Sequence, residues 1–531
     1  MLRQISPGRC LHAVLMGLFF VIVAGPLIGL VLDLIPALFS GSPDLVASLL
    51  FTPRRIWLLF ASIGLAAAVA GTGMLLGILV VSYLWQVSRK ILALTLLLLL
   101  ALAAVPPYIH ALTWSSLLYS LTVFLPGLTV TGWWISYWVE LMAFLPLAIL
   151  LSWIAIASVD PVLLGAGRVF SPDSETFTRI LLPLATPALG AAFGFLFLLC
   201  CSDYSIPSLF GADVYALDIF AQFAASGSPS VAILYALPLM FVMAAVLFFC
   251  RFGIRTLAQT PGWLSPGNGM PLRLPRPFAG LQAAACAIVL LQILVLVFGL
   301  ILTTESLATF SRSVMVARNE LAFSLLITAG VILVSLPLAI AAARELARPG
   351  IRGGVAWGLV LLPLAMPASL TGIGLILFWN LPGLSALHPG LLMPVFAGVA
   401  RFAPFAAIIL FVQFRFIDPL LFDAARVFTR SRLAEWLHIR LPLYAPGLLV
   451  SAGILAVLSL AELGATLVVA PPGHATLTMR IYNYLHYGAA GEVAGLCLMI
   501  TILSLVAGAC TAVAVARLYG NTGPSDRAGR G

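Results

Sequence analysis

Two carboxylates stand where carboxylates are costly. Asp203 lies in Cys201-Ser202-Asp203-Tyr204-Ser205 and Glu462 in Leu460-Ala461-Glu462-Leu463-Gly464, 259 residues apart, each at the end of a long apolar run. An acid beside that much apolar sequence has to be paired, hydrated or used. Two such acids at equivalent points of a repeated chain could face each other and pass a cation. Each could equally cap or pin a neighbouring helix end through a hydrogen bond or an arginine. Tyr204 adjoins the first acid, and His110, which follows Pro106-Pro107 inside another apolar run, is a further candidate for a path. Glu140 and Arg401 are the most deeply placed opposite charges of the two halves. Under the repeat Arg401 corresponds to Ala143, three residues from Glu140 and therefore on one helical face. The two are expected to meet between the halves as a latch that fixes geometry rather than adding stability.

Catalytic chemistry finds little to work with. Lys90, between Arg89 and Ile91, is the one lysine among 27 basic residues, so there is no Gly-Lys-Ser/Thr phosphate loop. The chain cannot hydrolyse ATP by that route, and an ATP-driven role needs a partner. Seven cysteines sit in or beside apolar runs without metal spacing or a disulfide framework. The six histidines show no i, i+4 ligand pair, and no nucleophile elbow occurs. No metal, cofactor or enzymatic activity is expected.

The elements that must hold these residues are membrane helices. Hydrophobic residues make up 62% of the chain and charged residues 8%, with mean hydropathy +1.14. Only helices or closed barrels satisfy the backbone in lipid, and these apolar runs are continuous rather than alternating. The expectation is an all-α polytopic membrane protein with about twelve spans in two parallel, homologous six-helix halves. The spans are 11–33, 56–84, 91–117, 133–157, 185–205 and 230–252, then 278–302, 321–343, 355–380, 390–414, 446–470 and 490–515. The first half is residues 1–252 and the second 277–518. Between them 253–276 reads as a cytoplasmic linker rich in proline and arginine, and 519–531 as a disordered cytoplasmic tail. With the N-terminus inside, 21 basic residues fall in inner segments and five in outer ones, which orients both termini to the cytoplasm. The net charge of +9 follows that pattern rather than a nucleic-acid face. Parallel halves place a path on an axis along the membrane normal. Phe144-Leu145-Pro146 recurs as Phe402-Ala403-Pro404 and Pro107 corresponds to Pro367, so the third, fourth, ninth and tenth spans are expected to bend. Glycines four apart (Gly25 and Gly29, Gly73 and Gly77, Gly190 and Gly194, Gly491 and Gly495) have the spacing of close helix contacts.

Two polar segments break the apolar pattern. Asp418-Pro419 is an N-cap followed by proline at the first helical position. Asp423-Ala424-Ala425-Arg426-Val427-Phe428-Thr429 follows, then Ile439-Arg440-Leu441-Pro442 and Pro446, where the prolines are expected to separate this segment from the next span. The first half repeats it: Asp160-Pro161, then Gly165-Ala166-Gly167-Arg168-Val169-Phe170-Ser171, then Arg179-Ile180-Leu181-Leu182-Pro183 and Pro187. Both segments, 160–187 and 418–446, fall on the arginine-rich side.

These residues resemble the cytoplasmic signature of binding-protein-dependent ABC transporter permeases: Glu-Ala-Ala, a glycine four residues on, then Ile and Leu-Pro. Asp423-Ala424-Ala425, Ile439 and Leu441-Pro442 match it with Asp for Glu; Ala166, Ile180 and Leu182-Pro183 match in the first copy, where Gly165 replaces the acid. Ser171 and Thr429 stand at the usual glycine. Two copies in one chain are similar to the fused permeases of the ferric-iron type and their thiamine and phosphonate relatives. The resemblance implies an importer of the bacterial inner membrane. Two ABC ATPase subunits would dock on the two segments, and a periplasmic or surface-anchored solute-binding protein would deliver the solute. Ala166, Ala424 and Ala425 would allow close approach, with Arg168 and Arg426 at the rim. Loss of the acid at Gly165 implies asymmetric coupling. Ferric iron is the substrate so implied, with thiamine, phosphonate, polyamine or another small solute as alternatives. An ion-gradient-driven transporter is the rival class, and Asp203 and Glu462 would be its centre.

Overall fold

A computed structural model describes residues 7–40, 52–103, 105–257, 276–304, 306–428, 431–487 and 490–520. Thr429, residues 258–275 of the expected linker and the tail from residue 521 lie outside them. The chain is an all-α polytopic membrane protein, with no strand among the described residues. Among the described residues ten helices are long and apolar enough to cross a membrane, and two bent pairs bring the number to twelve if each pair is one span. Every span expected from hydropathy coincides with one of these.

The first half runs α1 (Pro7–Ser40), α2 (Pro53–Leu84), α3 (Arg89–Ala103), α4 (Pro107–Thr122), α5 (Trp133–Ala157), α6 (Pro161–Phe170), α7 (Leu182–Ser202), α8 (Ser205–Leu209), α9 (Tyr215–Ser226) and α10 (Pro229–Leu257). The second runs α11 (Arg276–Thr304), α12 (Leu307–Val316), α13 (Arg318–Leu346), α14 (Gly350–Leu361), α15 (Ala368–Trp379), α16 (Met393–Arg415), α17 (Pro419–Phe428), α18 (Leu441–Ala461), α19 (Thr466–Val469), α20 (Leu477–Tyr487) and α21 (Ala490–Gly520). Apart from α12, each element of the second half has a counterpart in the first. The correspondence reaches single bonds. Ser62 Oγ accepts from Tyr215 N at 2.8 Å, and Ser324 Oγ accepts from Leu477 N at 2.8 Å, both partners shifted by the same 262 residues.

Two of the four spans expected to bend at proline are broken there. α3 and α4 meet at 93°, and the helix ending at Ala365 meets α15 at 112°. α5 and α16 instead run unbroken through Pro146 and Pro404. Pro106 and Pro107 stand together at the first break, and Pro363 and Pro367 flank the second. Each proline takes an N–H out of the helical ladder, but the number of prolines alone does not set the breaks, since α7 and α18 stay continuous through Pro187 and Pro446, four residues after Pro183 and Pro442. Pro183 and Pro442 also depart from expectation. Short helices at Asp173–Glu175 and Arg432–Glu435 continue without a break into α7 and α18 through π-helical turns at Thr176–Leu181 and Trp436–Arg440. The wider turn accommodates a proline whose ring would otherwise meet the carbonyl of the preceding turn.

Each half has the same core: α2 on α5 and α7, with α7 on α5 and α10; then α13 on α16 and α18, with α18 on α16 and α21. The first span of each half also reaches the other half. α1 packs on α15 and α13 of the second half, and α11 packs on α21 of its own half and on α4 and α2 of the first. At the α1–α15 crossing the backbones nearly touch, because a Cβ on Gly29 would lie 2.5 Å from the Gly374 carbonyl oxygen. Gly77 is similarly pressed, with a Cβ there 3.0 Å from the Ala148 carbonyl. The small-residue spacing therefore reports real close approaches at these positions.

Candidate functional site

A cavity of about 250 Å³ lies between the halves, and its wall obeys the repeat. α5 contributes Ala143, Phe144 and Leu147; α16 contributes Arg401, Phe402 and Phe405 at the matching positions. The breaks contribute Pro106 and Pro107 on one side and Met366 and Ala368 on the other. The ends of α7 and α18 contribute Asp203 and Glu462, so the two acids do line one space. Both acids also cap a neighbouring helix end, as the second reading expected. Asp203 accepts from Ser205 N at 3.2 Å, Ser205 Oγ at 2.6 Å and Ile206 N at 3.3 Å, which starts α8. Glu462 Oε1 accepts from Ala465 N at 2.7 Å at the start of α19. Each carboxylate thus caps the short helix after its span and presents its remaining capacity to the cavity.

The charges are not symmetric. Arg401 forms an ion pair with Glu462, whose side chain is 5% exposed. This corrects the expected pairing of Arg401 with Glu140. The reason is geometric: Arg401 and Glu462 belong to α16 and the end of α18, neighbours in one core, while the partner position of Arg401 in the first half is Ala143. Glu140 is fully buried and both its carboxylate oxygens lack a hydrogen-bond partner. It lies within electrostatic reach of Asp203. It also sits on the same face of α5 as the lining residues Ala143, Phe144 and Leu147, one turn away.

Tyr204 lines the cavity and stacks on Phe220 with ring centroids 6.5 Å apart. His110 does not line it. It is fully buried and faces α11, with Nδ1 2.5 Å from Gln292 Nε2, and Gln292 in turn accepts from Trp114 Nε1 at 2.8 Å. The proline break turns α4 so that Tyr108 faces the cavity and His110 the other half, which makes His110 part of the seam between halves rather than of a path.

The two polar segments fold alike. Asp160 Oδ1 accepts from Val162 N and Asp418 Oδ1 from Leu420 N, both at 2.9 Å, opening α6 and α17. Val162, Val169 and Phe170 on α6 are exposed, as are Leu420, Val427 and Phe428 on α17. Gly165 has open space around it and Ala166 is exposed, as are Asp423 and Ala424. Gly167 and Ala425 instead face inward. A Cβ on Gly167 would lie 2.5 Å from Ile180 Cδ1, and Ala425 is buried, so close approach there is to the chain's own π-turn. Arg168 is held by Asp173 at 2.8 Å, and in the second segment Arg440 is held by Glu435 at 2.6 Å. Ser171 ends α6 in extended backbone, donating its N–H to Gly167 O at 3.0 Å. Pro183 and Pro442 sit in the first turns of α7 and α18. Thr429 and the Arg426 side chain lie outside the described residues.

Sequence reasoning missed two groups. The aromatic wall (Phe144, Phe195, Phe402 and Phe405) had a trace in the recurring Phe-Xaa-Pro marks. The second is a clasp at the ends of α2 and α13. Arg54 pairs with Asp218 at 3.2 Å in the first half, while Glu320 pairs with Arg480 in the second. The same elements are joined with the polarity reversed, so no pattern of residue types repeats. Arg55, counted as an outer-loop charge, is buried and donates to Tyr215 Oη and the Tyr235 carbonyl at 2.9 Å.

No protein-family model matches this chain, and no curated protein matches it either. Among the described residues no group of three or more His, Cys, Asp or Glu could hold a metal ion.

Proposed function

We propose that this chain is the membrane-spanning permease subunit of an ATP-driven ABC importer, with α6 and α17 as its coupling helices. The observation that carries the reading is a mechanical one. Each surface helix shows its partner an exposed apolar pair, Val169-Phe170 and Val427-Phe428, and packs against the π-turn that leads into the span ending at a cavity acid. Exposed apolar pairs on a cytoplasmic surface are what a docked protein covers. A push on α6 or α17 would travel along α7 or α18 to Asp203 or Glu462, and so move the two walls of the cavity against each other. Two ATPase subunits supply that push, a solute-binding protein delivers the solute outside, and the arginine-rich side, both termini included, is cytoplasmic. The membrane is the bacterial inner membrane. Ferric iron is the substrate the resemblance implies, with thiamine, phosphonate and polyamine behind it.

Cross-linking in native membranes followed by mass spectrometry tests this. An ATPase joined within residues 161–181 or 419–440 is the expected result. Transport that survives ATP depletion, with no ATPase recovered, would overturn it. One observation favours the gradient-driven alternative: the unpartnered, fully buried Glu140 is the kind of carboxyl that can carry a proton. That alternative requires Glu140→Gln to abolish transport under a proton gradient.

A further inference from the structure

The two walls of the cavity are matched position by position, and one of them already holds an organic cation. In the second half the Arg401 guanidinium pairs with Glu462 and lies 5.2 Å from the Phe402 ring centroid. Acid and aromatic face together make a good seat for such a group. In the first half the same three positions are Ala143, Asp203 and Phe144, all lining the cavity. The acid and the ring are kept; the arginine is not. Tyr204 adds a second aromatic, and Glu140, fully buried without a hydrogen-bond partner, stands one turn behind.

We propose that the first-half wall is a transit seat for an organic cation, a guanidinium or primary ammonium group, held by Asp203 between Phe144 and Tyr204 with the buried Glu140 carboxyl behind it. The seat rests on the permease reading and narrows its substrate class, replacing ferric ion by an amine. Metal transit fits the site poorly, because the described residues bring no three metal-ligating side chains together and the wall is aromatic. Arg401 is the tethered version of the ligand. It neutralises Glu462, so one cation is admitted at a time and always on the same side.

The test uses the full-length chain in lipid nanodiscs and agmatine, which carries a guanidinium at one end and a primary ammonium at the other. Millimolar agmatine is expected to raise the unfolding midpoint by a few degrees, as any ligand of the folded state does. Asp203→Asn is expected to lose that response. Ala143→Arg, which supplies a tethered guanidinium, is expected to fold at least as stably as the parent and to lose the response too, whereas Ala143→Ser keeps it. No shift in the parent, a shift retained in both Asp203→Asn and Ala143→Arg, or a ferric-citrate shift that needs Asp203 would each overturn the seat. ATPase capture is measured on the same variants. Capture without an agmatine effect removes the seat and leaves the permease reading; an agmatine effect without capture does the reverse.

Discussion

At the scale of single residues, the cavity is an arrangement of charges that are each affordable for a different reason. Asp203 is stabilised by three donors at the start of α8. Glu462 is stabilised by one donor and by Arg401. Removing one partner of a buried pair leaves the other uncompensated, at a cost of about 3–5 kcal/mol. Glu462→Gln should therefore lower the thermal midpoint markedly, while Arg401→Leu with Glu462→Leu should recover most of the loss. Equal stability of parent and single variant in the same detergent would show that the pair is solvated rather than buried. The acids were visible in the sequence because apolar surroundings make any carboxylate conspicuous. Their partners were not, since Arg401 lies equally well in reach of two acids until the helices are placed.

At the scale of elements, the chain has small residues where helices cross and exposed apolar ones on α6 and α17, where the proposed partner would dock. Gly29 faces the backbone of α15 so closely that a side chain has no room. Overpacking of this kind costs about 1–3 kcal/mol or more, and Gly29→Leu is expected to abolish monodisperse protein on size exclusion, whereas Gly17→Leu, which meets open space, is expected to leave it unchanged. α6 and α17 behave oppositely. Phe170 and Phe428 are 89% and 84% exposed, so Phe170→Asp and Phe428→Asp should leave the stability within about 0.5 kcal/mol of the parent. Both should cut ATP-dependent uptake severely. Uptake at the parental level would remove these helices from the coupling role. The caps of both helices could be read directly, since Asp-Pro specifies an N-cap and first turn by local chemistry alone. The π-turns could not, because they are the helix's answer to a proline that the tertiary packing keeps in line.

At the scale of the whole molecule, the halves are interlocked rather than side by side. α1 lies on the second half and α11 on the first, with α21 against α3 of the other half. A chain split between residues 257 and 276 should therefore reassemble: the two pieces, co-expressed, are expected to co-purify, and each alone to aggregate or be degraded. Two pieces that each purify as stable monomers would contradict this interlock. The exchange also explains why the cavity lies where it does, since it is enclosed only when the broken spans of both halves are held in place by the other half's first span.

The sequence by itself determined the class of molecule, the twelve spans, the duplication and the local starts of α6 and α17. All of these follow from composition, from runs of apolar residues and from short-range capping, which do not depend on what packs where. Tertiary structure alone decided that Arg401 goes to Glu462, that Glu140 is left without a partner, that His110 belongs to the seam, and that Phe144 and Phe402 form matched walls. Each of those depends on which face of a helix meets which neighbour. That is settled by close approach at sites such as Gly29 and by the sharp bends that precede α4 and α15, so residues hundreds of positions apart meet only after the halves have interlocked.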